Sequence, residues 1–177
     1  MKILIIGYCA SGKSTLAKKI GDILNIPVFH LDKEFFLPDW KERDKKESEQ
    51  IIENILKNNK SWVIEGNFMK ISPESRIKSC DKLIFMDFNR FTCLLNAYER
   101  FNKYKGAIRE SAADGCVEKF DWELINWILF GQRTEKKQEL YNSIIEKYKE
   151  KLIHLKNRDE VDLFLDDLKN KRIKLNK

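Results

Sequence analysis

Residues 2–15 read Lys2-Ile3-Leu4-Ile5-Ile6-Gly7-Tyr8-Cys9-Ala10-Ser11-Gly12-Lys13-Ser14-Thr15. The apolar run that ends at Gly7 has the pattern of a strand buried on both faces of a parallel sheet. From Gly7 to Ser14 the chain spells G-x-x-x-x-G-K-S. Residues 13–24 then predict a helix with Leu16, Ile20 and Leu24 on one face, and Pro27 cannot continue it. Strand, glycine loop and helix together are the context this motif requires. A chance match in a chain of this length is on the order of 1%.

The chemistry explains the spacing. Gly7 and Gly12 allow backbone torsions that a Cβ would forbid. The N–H groups of Cys9, Ala10, Ser11 and the following helix start, through Thr15, then point at phosphate oxygens. Lys13 supplies a point charge to the β- and γ-phosphates, and the Ser14 hydroxyl is a ligand for Mg²⁺. The motif therefore implies ATP with Mg²⁺ as the bound species.

Outward from this stretch, strand and helix patterns alternate. Strands are expected at 28–31, 62–64, 83–86 and 152–155. Helices are expected from Lys41 to about Asn58, at 91–103, and over 121–150 with a break near Gly131. Asp159 reads as a cap before an amphipathic helix carrying Val161, Phe164, Leu165 and Leu168. A basic tail, 169–177, follows. The alternation argues for an α/β fold with a parallel sheet covered on both faces. The 177 residues show no repeat or linker and fit a single domain, 1–177.

The chain is 42% hydrophobic and 35% charged, with a net charge of +6. This excess suits anionic partners such as nucleotides, nucleic acid or acidic membranes without choosing among them. Cys9, Cys80, Cys93 and Cys116 form no C-x-x-C pair, so a zinc site is not expected and reduced, cytoplasmic thiols are. No apolar run approaches the ~20 residues that span a bilayer. The sequence has no helix-turn-helix, zinc finger or basic stripe interleaved with aromatics, so no motif supports nucleic-acid binding.

Three acids fall at expected strand ends, where open α/β sheets place their ligands: Asp32, Glu65 and Asp87. Such an acid holds a Mg²⁺ ion or its water, or takes a proton from a substrate hydroxyl; otherwise it is a cap or turn residue. Asp32 and Glu65 are the stronger candidates. Arg100, Arg109 and Arg133 are candidates for neutralising charge on a moving phosphoryl group. His30 and His154 read as structural, as does Cys116. Trp40, after Phe35-Phe36-Leu37-Pro38-Asp39, suits either a pocket wall or a packed satellite cluster.

The ordered set of the phosphate loop, His30-Leu31-Asp32, Pro38-Asp39-Trp40, Trp62-Val63-Ile64-Glu65-Gly66-Asn67 and Asp114-Gly115-Cys116 resembles the DNA topology modulation proteins (the FlaR group), relatives of adenylate kinase. The resemblance covers nearly the whole chain. It implies a three-layer P-loop fold with a five-stranded parallel sheet and a short lid, roughly 102–120, that carries Arg109. It also implies that Glu65 helps to organise Mg²⁺ and that the activity is phosphoryl transfer from ATP to a nucleotide or another small acceptor. The helix after the fourth strand usually carries two arginines four apart; here Arg100 is present and Asn96 takes the first position. The competing reading is a nucleic-acid-associated ATP-binding protein with little kinase activity. Within the kinase reading, the resemblance favours a nucleotide acceptor and Asp32 mildly favours a hydroxyl; the nucleotide is the expected acceptor.

Overall fold

The computed structural model describes residues 1–67, 71 and 73–170. The apolar run forms β1 (Lys2–Gly7), buried from Ile3 onward. It is followed by α1 (Lys13–Leu24), β2 (Val28–His30), α2 (Leu31–Phe35), β3 (Phe36–Leu37), β4 (Lys41–Glu42) and α3 (Lys45–Asn58). Next come β5 (Trp62–Glu65), α4 (Pro73–Ser79), β6 (Lys82–Met86), α5 (Arg90–Lys103), α6 (Trp122–Leu129), α7 (Glu135–Lys147), β7 (Leu152–Leu155) and α8 (Arg158–Lys169). The expected tail beyond Asn170 lies outside the described residues.

The main sheet is parallel and five-stranded, in the order β2-β5-β1-β6-β7. The most apolar strand, β1, is central: Leu4 lies opposite Ile64 on one side and Leu83 on the other. Helices complete a three-layer α/β arrangement, and Leu16, Ile20, Ile52, Phe164 and Leu168 pack into the same core as the strands. The C-terminal ends of β1, β2 and β5 bring Gly7, His30 and Glu65 to one edge, and that edge is where the site lies.

Several boundaries differ from the sequence reading, for local reasons. Leu31 does not extend β2 but starts α2. The helix expected from Lys41 begins at Lys45, because Asp44 caps it by accepting from the N–H groups of Lys46 and Glu47. The cap of α8 is Asn157, which accepts from Glu160 N–H, and Asp159 sits in the first turn. The stretch 121–150 divides into α6, a 3₁₀ turn at Gly131–Arg133, and α7. The polar α4, with one apolar residue among Pro73–Ser79, gave no periodic signal.

Residues 104–121 form turns and irregular backbone. They dock on the β3–β4 hairpin, and Phe120 packs against the main core. Ala112, Ala113 and Cys116 are buried against Phe36 and Trp40. Trp40 Nε1 donates to the Val117 carbonyl at 3.0 Å, Asp39 N–H to the Gly115 carbonyl at 3.3 Å, and the Cys116 thiol to the Leu37 carbonyl at 3.3 Å. Gly115 has φ +79°, and a Cβ there would come within 2.8 Å of Pro38 Cβ, so the close approach requires glycine.

Candidate functional site

The phosphate loop begins where β1 meets β6. At Gly7, φ is +145° and a Cβ would lie 2.3 Å from the Met86 carbonyl oxygen, which excludes every other residue type. Asn67 clamps Gly7 from β5's end: its Oδ1 accepts from Gly7 N–H at 3.0 Å and its Nδ2 donates to the Gly7 carbonyl at 2.8 Å. On the other flank the Gln132 side chain accepts from Cys9 N–H. Asn96 Nδ2 donates to the Ala10 carbonyl at 2.9 Å.

Past the loop, α1 starts without a side-chain cap and without an acid in its first turn. By contrast, α3, α5, α6 and α8 are capped by Asp44, Asn89, Asp121 and Asn157. The first N–H groups of α1 are thus left for an anion, and the helix dipole favours one there. Lys13 Nζ meanwhile folds back onto the carbonyls of Gly7 and Tyr8, at 3.1 and 2.8 Å.

Glu65 stands at the end of β5, buried at 3% exposure. Its Oε1 accepts from Ser14 Oγ at 2.9 Å and contacts His30 Nδ1 at 2.8 Å. Burial opposes its ionisation, but His30, Lys13 and Ser14 outweigh burial and hold its carboxyl below the usual range. His30 is therefore satisfied, as expected for a strand-end histidine. A hydroxyl and a carboxylate in contact are hard oxygen donors that fit Mg²⁺. Among the described residues no cluster of three or more His, Cys, Asp or Glu forms a metal cage.

Across the cleft, Arg109 joins the remaining candidates. Its Nη2 donates to Asp32 Oδ2 at 2.9 Å, and its Nε lies 2.6 Å from Glu118 Oε1. Glu118 Oε2 in turn accepts from Arg100 Nε at 2.9 Å. Burial and the nearby Glu65 raise the Asp32 carboxyl above its ordinary value, against the pull of Arg109 and Lys13. Glu118, with 1% side-chain exposure, holds the two arginines together; nothing in its spacing marked it in the sequence. The cleft has a volume of about 1590 Å³ and is lined by Lys13, Ser14, Asp32, Glu65, Arg100 and Arg109 among others, with Phe36 and Trp40 at the Asp32 end.

Arg133 is not brought to this cleft. Its guanidinium lies over the Tyr8 ring, 3.6 Å from the centroid, and donates to the Phe88 carbonyl behind the loop. The cation found a π face and a carbonyl under the loop, so its contact with the site is through Tyr8. Asp87 pairs with His154 at 2.9 Å and does not line the cleft. Arg76 is another residue the sequence did not mark. Almost fully buried, it donates to the carbonyls of Gly66 and Asn67, and burial lowers its guanidinium to about 10. It fixes the turn that presents Glu65 and Asn67.

No family model matches the chain, and no curated protein matches it. Solved structures do. A shikimate kinase from Acinetobacter baumannii in complex with shikimate is 14% identical, with 98% of this chain and 91% of that chain covered and a TM-score of 0.53. Deoxyadenosine kinase from M. mycoides with bound dATP is 14% identical over 95% of this chain and 99% of that one, TM-score 0.52. A shikimate kinase from Bacteroides thetaiotaomicron is 16% identical over 97% and 98%, TM-score 0.50. At such identities the likeness concerns the fold, and the chain has the three-layer α/β fold of these P-loop kinases.

Proposed function

We propose that the protein is an ATP- and Mg²⁺-dependent phosphotransferase related to adenylate kinase and to the DNA topology modulation group, acting on a small acceptor that offers a hydroxyl. The observation that carries this reading is the Asp32–Arg109–Glu118–Arg100 chain facing the Lys13-Ser14-Glu65 corner across one cleft. In this reading residues 1–177 are one kinase-like domain, and residues 102–120 are its lid, closed over the acceptor by its contacts to the β3–β4 hairpin. Support for the relationship comes from the meeting of one of its more specific segments, Asp114-Gly115-Cys116, with another segment of the same set, Pro38-Asp39-Trp40, in that contact. Four free cysteines support a cytoplasmic setting. No described helix is long and apolar enough to cross a membrane.

The roles follow from position. The loop N–H groups and Lys13 bind the triphosphate and become preorganised for charge that grows during transfer. Ser14 and Glu65 hold Mg²⁺, which when bound neutralises phosphate charge and orients it. Arg100 and Arg109 face the transferred group, each held in place by Glu118. Asp32 orients the acceptor and takes its proton; a carboxyl raised above its ordinary value is a better matched base. The acceptor end favours a hydroxyl over a phosphomonoester, because Asp32 and Glu118 already balance the arginines there. An additional dianion would meet these acids, whereas Phe36 and Trp40 offer an apolar wall to a neutral body.

The test is acceptor-dependent ADP formation, screened over hydroxyl metabolites, nucleosides and nucleoside monophosphates, with Lys13→Ala as the control. A hydroxyl acceptor with turnover abolished in Lys13→Ala is expected. A thermal melt insensitive to millimolar ATP·Mg²⁺ removes the ATP assignment altogether, since a ligand at a hundredfold excess over Kd stabilises by about 2.7 kcal/mol. Turnover with monophosphates alone would leave the kinase and overturn the acceptor class.

A further inference from the structure

Helix α5 has two working faces. Asn96 and Arg100 turn to the cleft, and Cys93 and Ala97 are fully buried. A third, outward stripe is apolar at i, i+4 and i+7: Phe91 is 72% exposed, Leu95 57% and Tyr98 49%. A solvated helix face ordinarily carries charge here. Helix α6 runs alongside, with the Phe120 ring before it against Tyr98 and Phe130 after it under Arg90. It adds Trp122, 74% exposed, and Phe130, 61% exposed, which also borders the cleft.

We infer that this α5–α6 face is the interface of a homodimer. At about 200 Å² for a large aromatic side chain, the four of these that do not border the cleft, Phe91, Leu95, Tyr98 and Trp122, expose roughly 500 Å² of apolar surface. A standard interface buries ~800 Å² per partner, a little over half of it apolar, so the face supplies what a stable dimer needs. It lies at the upper end of the patch that a typical monomer leaves open, a size that is often functional. A straight stripe on one helix is self-complementary: a two-fold axis across α5 lays the stripe on its own copy. The stripe itself points the same way: Phe91, Leu95 and Tyr98 carry no charge, whereas an anionic membrane or a nucleic acid would call for basic residues there. The face opposite the stripe carries Arg100, so the pairing would brace the helix that holds part of the site while leaving Asn96 and Arg100 free.

Sedimentation velocity on the full chain at tens of micromolar tests this. The unmodified protein is expected at twice the 21.1 kDa chain mass. Leu95→Glu and Phe91→Glu are each expected to weaken association by roughly 30-fold or more, the loss of one central anchor, with circular dichroism unchanged because both side chains already face solvent. A monomer at that concentration overturns the inference, as does a dimer that survives the Phe91→Glu/Leu95→Glu double variant. If the unmodified chain is monomeric yet floats with phosphatidylcholine–phosphatidylserine vesicles, the face is a membrane contact and the homodimer is wrong.

Discussion

Arg109 and Asp32 are 77 positions apart in sequence, and in the fold the guanidinium Nη2 donates to the carboxylate Oδ2 at 2.9 Å. This bond ties the irregular segment between α5 and α6 to the short helix that follows β2. It makes Arg109 a part of the cleft only while that segment is docked.

Arg109→Ala is therefore expected to lower kcat strongly while leaving the ATP Kd within a few-fold of the parent. Removing one preorganised donor typically costs 10²–10³ in rate, or about 3–4 kcal/mol. Steady-state kinetics with a confirmed acceptor, beside ATP titration by calorimetry, separates the two effects. Equal turnover in variant and parent counts against the role.

The parts of this site that were legible in the sequence are those written in consecutive residues. The loop from Gly7 to Ser14 forms a motif because one loop must wrap one phosphate chain, and Glu65-Gly66-Asn67 lies at the end of an apolar run. Glu118, Gln132 and Arg76 were not legible, because their meaning is their partner. Each is an ordinary polar residue in a polar stretch until folding buries it against Arg109, Cys9 N–H or the Gly66 carbonyl. Arg133 shows the opposite case. An arginine near the end of a helix suits a phosphate site by pattern, yet its position under the loop gives it the Tyr8 ring instead. The β3–β4 hairpin was hidden for a further reason. Two-residue strands are too short for period-2 alternation to register, and Asp39 and Trp40 adopt positive φ that nothing in their residue types announces.

Asp32 gives a prediction in which stability and activity move in opposite directions. Burial and Glu65 raise its carboxyl above the ordinary value of 3.8, so the fold favours the protonated form. Ionisation above the raised value then costs stability, and this cost disappears as pH falls through that value towards 3.8. Asp32→Asn, neutral at every pH, is expected to melt higher than the parent at pH 7, with the gap closing as the solution is acidified. Turnover on a hydroxyl acceptor is expected to fall by ~10²–10⁴-fold, as for a lost general base. A variant that melts lower at pH 7 shows that the bond to Arg109 outweighs the burial cost.

Glu65 behaves in the reverse sense. Its carboxyl is held below the usual range by His30, Lys13 and Ser14, so it adds stability at neutral pH that is lost on acidification through its lowered value. Glu65→Gln keeps the shape and removes the charge that would face Mg²⁺. In thermal melts, the extra stabilisation by ATP when Mg²⁺ is added is expected to shrink, while stabilisation by ATP with EDTA remains. An undiminished Mg²⁺ increment places the ion elsewhere.

Gly115 tests whether the docked segment is held by its own geometry. With φ +79° and Pro38 Cβ 2.8 Å from where a Cβ would sit, Gly115→Ala carries both a left-handed backbone cost, about 1–2 kcal/mol, and a steric one. The strain falls on a contact made of few bonds: the Asp39 N–H to the Gly115 carbonyl, Trp40 Nε1 to the Val117 carbonyl, and the small cluster around Cys116. The central strands share none of these, so the segment is expected to open locally rather than unfold the chain. Hydrogen exchange should speed up across residues 104–121 and across β3 and β4 while β1, β5 and β6 keep their protection. Because undocking withdraws Arg109 from Asp32, kcat should fall towards that of Arg109→Ala with ATP affinity preserved. Unchanged exchange in residues 104–121 would show that the hairpin yields around the added methyl group. In that case the glycine is not what fixes the segment over the cleft.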